Sequence, residues 1–325
     1  MPVTIEPTAP ELPRSPTLLM DGHAASCIAC GDRRWREIRR GRDVYRPDLP
    51  TQYALCRCSG CGLVAQQPVP GPSELEAAYA VAYRVFRPAW KTPGWPFWKI
   101  LRAVTVARRL RRLRRHRAGG NLLEVGCGAG DSLLAAHRAG WRVHAVEVTQ
   151  SMVELLCHEI PALDVRPGEL TTGLWEDDTF DAVVLWDVLE HVSEPGLTLR
   201  TAAGYLKKGG VLLASFPTAD AVTTGHRHGD WWAPLDLPRH LFFFDAATLG
   251  GLADSAGLTV VDYRTPLLDA LWCELASACQ RPTTGGGGRL ARLVDLAATA
   301  ASLPRLYRNA SRGRGPIAVI AAIKR

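Results

Sequence analysis

No uninterrupted apolar run in this 325-residue chain approaches the roughly 18 residues a bilayer span requires, so the sequence does not read as a membrane-spanning protein. Its first residues, Met-Pro-Val-Thr-Ile-Glu-Pro-Thr-Ala-Pro-Glu-Leu-Pro, lack both the basic stretch and the apolar stretch of an export leader. A soluble, cytoplasmic protein is therefore expected, with residues 1–22 as a flexible tail. Excess charge is also missing from most of the chain. Seven arginines between Arg108 and Arg117 match the formal net charge of +7, so the remainder is close to balanced. No motif that reads RNA accompanies them, which gives little ground for a nucleic-acid partner. The hydrophobic fraction of 47% is ordinary for a globular chain, and the length leaves room for one large domain and an accessory module.

Disulfides are not the natural reading of the nine cysteines, because five of them crowd between Cys27 and Cys61 in a chain without an export signal. Cys27-Ile-Ala-Cys30-Gly and Cys58-Ser-Gly-Cys61-Gly are two knuckles in which the glycine after the second cysteine permits a tight turn. Cys27, Cys30, Cys58 and Cys61 would then close a tetrahedral zinc site with no open position, which makes the metal structural rather than catalytic. Cys56 stands by as an alternative ligand. Cys127, Cys157, Cys273 and Cys279 are scattered singly and read as small apolar residues.

Residues 122–130, Leu-Leu-Glu-Val-Gly-Cys-Gly-Ala-Gly, place three glycines at alternate positions after a short apolar run and before a helix-like segment. A strand leading into a nucleotide-binding turn follows, with Gly126, Gly128 and Gly130 letting a ligand lie against the main chain. The next strand ends at Glu147, placed to accept hydrogen bonds from two ribose hydroxyls. What the motif lacks matters as much. The dinucleotide fingerprint requires glycine at 131, where this chain has Asp131, so a nicotinamide cofactor is disfavoured.

Glu124-x-Gly126-x-Gly128-x-Gly130 resembles the first motif of class I S-adenosylmethionine-dependent methyltransferases. Phe180 to Pro195 resembles the family's fourth strand and following loop, Leu206 to Phe216 its fifth strand, and Gly313 to Lys324 its closing strand. The cysteine module, followed by Gly-Leu-Val and a proline-rich stretch into a tyrosine-containing helix over Pro68 to Tyr83, is similar to the zinc ribbons that open sugar- and antibiotic-tailoring methyltransferases. The resemblance implies an α/β, Rossmann-like fold with a mostly parallel seven-stranded sheet and S-adenosylmethionine as cofactor. It also implies cofactor contacts at Glu124, Gly126, Cys127, Gly128, Gly130, Glu147, Val148, Glu169, Leu170 and Asp187. Glu169 stands where the family more often has aspartate. For Asp187, capping of a following helix is the simpler role.

Lys99 to Arg117 has apolar residues at helical steps (Ile100, Leu101, Val104, Ala107, Leu110, Leu113), so one face is expected to pack while the arginines form a basic surface. Solvation of that surface is its first reading, an anionic acceptor the second, and a membrane surface or nucleic acid the remaining ones. A hydroxyl acceptor would need a base, and His191 and His240 are the candidates, each with a structural role as the alternative. His226 to Phe244 mixes aromatic and polar side chains as an acceptor pocket would, though Trp231 and Trp232 also suit a core. A metal at His226 and His228 is the weaker reading, because no adjacent carboxylate–histidine spacing supports it.

The resulting organisation is a tail (1–22), a zinc ribbon (23–72), a helical cap with the arginine helix (73–118), and a cofactor-binding domain (119–325). A helical insertion at about 267–312 suits a lid or a dimer contact. The expected function is methyl transfer to a small or carrier-linked metabolite, anionic in one version, in secondary metabolism or sugar tailoring. An RNA or protein methyltransferase, and a non-catalytic partner that binds the cofactor or a related nucleoside, are the other two readings.

Overall fold

The computed structural model describes residues 26–46, 48–49, 51–82, 96–160, 163–224, 226–280 and 288–325. The tail over 1–22, Tyr83, residues 285–287 and the side chains of His226 and Cys279 lie outside the described residues. Three short strands open the chain: β1 (Trp35–Gly41), β2 (Tyr53–Cys58) and β3 (Val64–Gln66). Two helices follow, α1 (Pro72–Ala82) and α2 (Pro96–His116). Strands and helices then alternate through β4 (Asn121–Val125), α3 (Asp131–Arg138), β5 (Arg142–Glu147), α4 (Gln150–Glu159), β6 (Asp164–Pro167), β7 (Phe180–Trp186), α5 (Pro195–Tyr205) and β8 (Leu206–Pro217). After α6 (Ala219–Thr223) and a loop come β9 (Phe242–Phe243), α7 (Ala246–Ser255) and β10 (Leu258–Arg264). Helices α8 (Leu267–Gln280) and α9 (Gly288–Ser311) precede the last strand, β11 (Ile317–Lys324).

Seven strands form one sheet in the order β10-β11-β8-β7-β4-β5-β6. The pairs from β8 to β6 are parallel, and β11 is antiparallel to both neighbours. This is the Rossmann-like arrangement of class I methyltransferases, with α8 and α9 inserted before the closing strand as expected. Side chains along a strand alternate between faces, and here both faces are covered. Leu123, Val183 and Leu212 enter one core, with Tyr205 and Phe244, while their neighbours Leu122, Val184 and Leu213 enter the other, with Leu133, Trp141 and Leu156. The strand order turns back between β4 and β7, and the crevice at the carboxyl ends of these two strands is where such sheets bind ligands.

The cysteine segment forms a second sheet, β1-β2-β3-β9, and its fourth strand comes from a loop about 180 residues later in the chain. Val64 pairs with Phe243 and Ala65 with Phe242, while the Gln66 side-chain amide donates to Pro238 O and His240 O. The ribbon sheet therefore runs directly into the segment that carries His240.

Helix α2 corrects the expected packing face. Leu113 is buried, but Ile100 is 62% exposed and Val104 39% exposed. Arginines turn inward instead: Arg102 meets Asp131, Arg108 Asp269, Arg109 Asp187 and Arg112 Asp262. Aspartates from four separate elements face this helix, and their attraction for guanidinium outweighs the modest gain from covering a valine or an isoleucine. Arg111, Arg114 and Arg115 stay exposed, so the basic surface is much smaller than the arginine count implies.

Candidate active site

The glycine turn begins where β4 ends. Gly126, Gly128 and Gly130 have φ of +64°, +49° and +75°, a region that L side chains rarely adopt. A Cβ at Gly126 would strike Val188 and one at Gly130 would strike Leu156, so these two glycines also serve packing. At Gly128 nothing lies within 4 Å of that position. Gly128 is the place where a ligand could rest on the backbone.

Glu147, at the end of β5, accepts from Gly128 N at 2.7 Å and Thr149 N at 2.9 Å. Each carboxylate oxygen keeps a second acceptor position, so the group ties the turn to β5 and retains capacity for two hydroxyls. Glu124 is buried and its Oε2 has no hydrogen-bond partner within the protein. Burial pushes its carboxyl up to about 8, opposed by Arg109. An orphaned acidic oxygen beside an open glycine fits the ammonium-bearing end of S-adenosylmethionine. Cys127 is buried and Val148 half-buried beside this turn. Glu169 and Leu170 follow β6, with Glu169 raised by burial and Leu170 packed on the core.

Asp187 does not cap a helix, because the next one, α5, begins only at Pro195. It holds a left-handed conformation (φ +58°), accepts from Ser215 Oγ at 2.7 Å, and is paired with Arg109. Its surroundings in the crevice would raise it, yet Arg109 and Ser215 outweigh them and hold it below the usual carboxylate range, even though the side chain is partly open to solvent. Arg109 also stacks over Trp186, its guanidinium carbon 4.9 Å from the ring centre. Helix α2 thereby closes one side of the crevice.

His191 and His240 come together, with ring centres 4.7 Å apart. His191 Nδ1 faces Tyr79 Oη at 2.9 Å and Arg239 O at 3.1 Å, and His240 Nδ1 faces Pro234 O at 2.8 Å. A carbonyl only accepts, so both rings carry the proton on Nδ1 and leave Nε2 as a lone pair. Burial depresses both, His191 to about 3, while Asp236 partly opposes the depression at His240. Glu190 lies fully buried beside them. Neither of its oxygens has a partner within the protein, and burial, reinforced by Asp187, raises it far above the carboxylate range.

Two pH dependences follow. Histidines neutral in the folded state bind protons once unfolded, so the contribution of His191 to stability is complete above pH 6.5 and is lost as pH falls from about 6.5 toward 3, and that of His240 is lost in the same direction. Glu124 works the other way. It is protonated when folded and ionised when unfolded between about 4.5 and 8, so stability declines as pH rises through that window. Glu124→Gln is expected to be more stable than the unmodified protein by a few kcal/mol at pH 8 and to gain little at pH 4.5. Thermal denaturation at both pH values measures this, and an equal shift at both would remove the assignment.

The four knuckle cysteines converge. Cys27 and Cys61 Sγ are 3.5 Å apart, Cys30 and Cys58 Sγ 3.6 Å, and all four sulfurs lie within 4.8 Å of one another. Zn–S bonds of about 2.3 Å imply tetrahedron edges of about 3.8 Å, so the donor set fits zinc. Cys56 is buried in β2 and stands outside the cluster. His228 meets a carboxylate the sequence did not disclose, Glu274 of α8 at 2.9 Å, and stacks on the buried Trp232. Tyr79 and Arg239 were not singled out from the sequence. The tyrosine-containing helix was the available signal for Tyr79, whereas nothing in the sequence distinguishes Arg239 from a surface arginine.

Strand order, glycine turn and acidic strand end define the class I methyltransferase architecture. A family model described as a methyltransferase domain matches residues 97–263, and the chain belongs to that family. A probable S-adenosylmethionine-dependent methyltransferase of Mycolicibacterium smegmatis is 30% identical over 151 residues, 46% of this chain and 56% of that protein. A ubiquinone biosynthesis O-methyltransferase of Caulobacter vibrioides is 33% identical over 102 residues, covering 30% of this chain and 40% of the relative. The matched region thus spans about half the length of these curated relatives. Among solved structures, 1,6-didemethyltoxoflavin-N1-methyltransferase of Burkholderia thailandensis is 16% identical with a TM-score of 0.48, covering 85% of this chain and 97% of that one.

Proposed function

We propose that the protein transfers a methyl group from S-adenosylmethionine to a hydroxyl of a small or carrier-linked metabolite in secondary metabolism or sugar tailoring, with a zinc ribbon completing the acceptor side. When bound, the cofactor supplies an electrophilic methyl group. The chain's own contribution is to hold the acceptor in line and to take its proton. One observation carries the reading: two neutral imidazoles with free Nε2 lone pairs meet beside the carboxyl end of β7, the neighbour of the strand that opens the glycine turn. His240 is the stronger base of the pair, because a proton on its Nε2 would face Asp236 Oδ2 at 3.9 Å. His191 braces it and contacts the acceptor. The likeness to ubiquinone biosynthesis O-methyltransferases favours oxygen over nitrogen or carbon as the nucleophile.

The exposed Arg111 would draw an anionic acceptor toward α2. A homodimer through α8 and α9, and a cytoplasmic setting, belong to the same reading. Calorimetric titration with S-adenosylmethionine and separately with NAD tests the cofactor. Binding of NAD alone, or of neither, ends the proposal. His240→Ala is expected to lower turnover on the order of 100-fold with S-adenosylmethionine affinity unchanged, and His191→Ala less. Unchanged turnover in both variants at saturating acceptor removes the base assignment.

A further inference from the structure

Arg239 is 1% exposed, and no step of methyl transfer requires it. Its guanidinium donates to both oxygens of Asp43 at 3.1 Å, to Asp236 Oδ1 at 3.0 and 2.8 Å, and to the carbonyls of Leu237 and Ala78. The ring of Tyr45 lies 4.7 Å from its guanidinium carbon. Asp43, itself 4% exposed, follows β1 in the ribbon, 196 residues away in sequence. The same Arg239 offers its carbonyl to His191 Nδ1, and the Asp236 it grips faces His240 Nε2.

The geometry points to Asp43 and Arg239 as positioning residues: the ribbon's carboxylate fixes Arg239, which in turn fixes the tautomer and orientation of His191 and, through Asp236, the charge that faces His240. The argument is one of satisfied donors. A planar guanidinium with its N–H groups distributed over two carboxylates and two carbonyls has one orientation, and its own main chain is fixed with it. Gln66 adds a second hold from the ribbon by donating to the carbonyls of Pro238 and His240 on either side of Arg239. The Nδ1–H of His191 thus has a stationary acceptor, which keeps its Nε2 lone pair aimed at the crevice. Without Asp43, Arg239 retains Asp236 but loses the partner that anchors it to the ribbon. Asp236 would then follow a mobile arginine, and the field at His240 Nε2 would become variable. The ribbon in this account sets the chemistry of the histidine pair rather than only covering it.

The test uses the full zinc-loaded chain and rests on the proposed methyl transfer only for its turnover arm. Long-range proton–nitrogen spectra of histidine-labelled protein report the tautomer of each imidazole directly. In the unmodified protein, His191 and His240 are expected to show the single Nδ1–H pattern. In Asp43→Ala, with zinc content preserved and S-adenosylmethionine affinity within about twofold, His191 is expected to shift toward mixed tautomers, while His240, whose Nδ1–H donates to Pro234 O, keeps its pattern. Turnover is expected to fall 10- to 100-fold through kcat, with a displaced pH profile. Asp43→Asn, which keeps the shape and one acceptor oxygen, is read in its place if the alanine variant fails to fold, and is expected to shift the pattern in the same direction but less. Asp43→Glu is expected to restore the single pattern in part. Folded variants in which His191 retains the single Nδ1–H pattern would overturn the proposal. Absence of S-adenosylmethionine binding by the unmodified protein would instead refute the methyl-transfer reading, while the tautomer spectra still decide the role of Asp43.

Discussion

Cys58→Ser is expected to abolish zinc binding, from one equivalent per chain to none, and to lower the thermal midpoint by well over 10 °C. Structural zinc contributes on the order of 10 kcal/mol to isolated finger peptides, which lack a core of their own. Here the knuckle ends β2 and leads into β3, whose pairing with β9 holds the His240 segment. Part of the ribbon's stability therefore comes from burial of Leu55, Leu63 and Val64 against the rest of the protein, and the loss should be smaller than in a free finger. It should still reach the histidines, since Gln66 ends β3 and Asp43 follows β1, both strands of the sheet that carries the cysteine cluster. Cys56→Ser is the control. Its thiol lies outside the cluster, so zinc content should be unchanged. Metal analysis with thermal denaturation of the two variants decides the matter: full zinc occupancy in Cys58→Ser, or its loss in Cys56→Ser, would break the assignment of the four ligands.

The parts of the fold that were readable in the sequence are those where local pattern and tertiary role coincide. β4, β7 and the centre of β8 are nearly unbroken apolar runs because both of their faces are covered, and a run of that kind has few other uses. The glycine turn and Glu147 were readable because left-handed backbone and a strand-end acid leave a residue-level mark. β6 carries little mark of its own, and only the family resemblance implies it. Its Asp164-Val-Arg-Pro has only Val165 buried, as suits a short edge strand. The inward turn of the α2 arginines was hidden as well, because their partners Asp131, Asp187, Asp262 and Asp269 are spread over some 140 residues and nothing local marks them as one group.

The candidate site shows the same division. His191 and His240 were each identifiable, since a histidine at the end of a strand or in an aromatic loop is chemically conspicuous. Their contact was not, because it depends on β9, a two-residue strand recruited by the ribbon. Once β3 captures Phe242 and Phe243, the preceding Arg239 must lie against the ribbon, where Asp43 neutralises it. The buried charge is tolerable only in that company, since removing one partner of such a pair typically costs about 3–5 kcal/mol. The cysteine module, the arginine and the histidine pair are thus one construction whose members are far apart in sequence.

Glu147→Ala is expected to weaken S-adenosylmethionine binding on the order of 100-fold or more. Two hydroxyl donors to an ionised carboxylate contribute about 1.5–3 kcal/mol each, and about 3 kcal/mol in total already corresponds to that factor. The structure adds a second loss. Gly128 N and Thr149 N both donate to Glu147, so alanine leaves two backbone donors without their acceptor at the turn where the cofactor would rest. Glu147→Gln separates the two effects, since its amide oxygen can still accept from one of these groups while charge and acceptor capacity toward the ribose fall. The glutamine variant should keep most of the stability and lose most of the affinity, whereas the alanine variant should lose both. Calorimetric titration and thermal denaturation of the pair give the comparison. Near-native affinity in Glu147→Gln would mean that the carboxylate serves the turn alone and that the ribose is held elsewhere, which would move the cofactor site away from the end of β5.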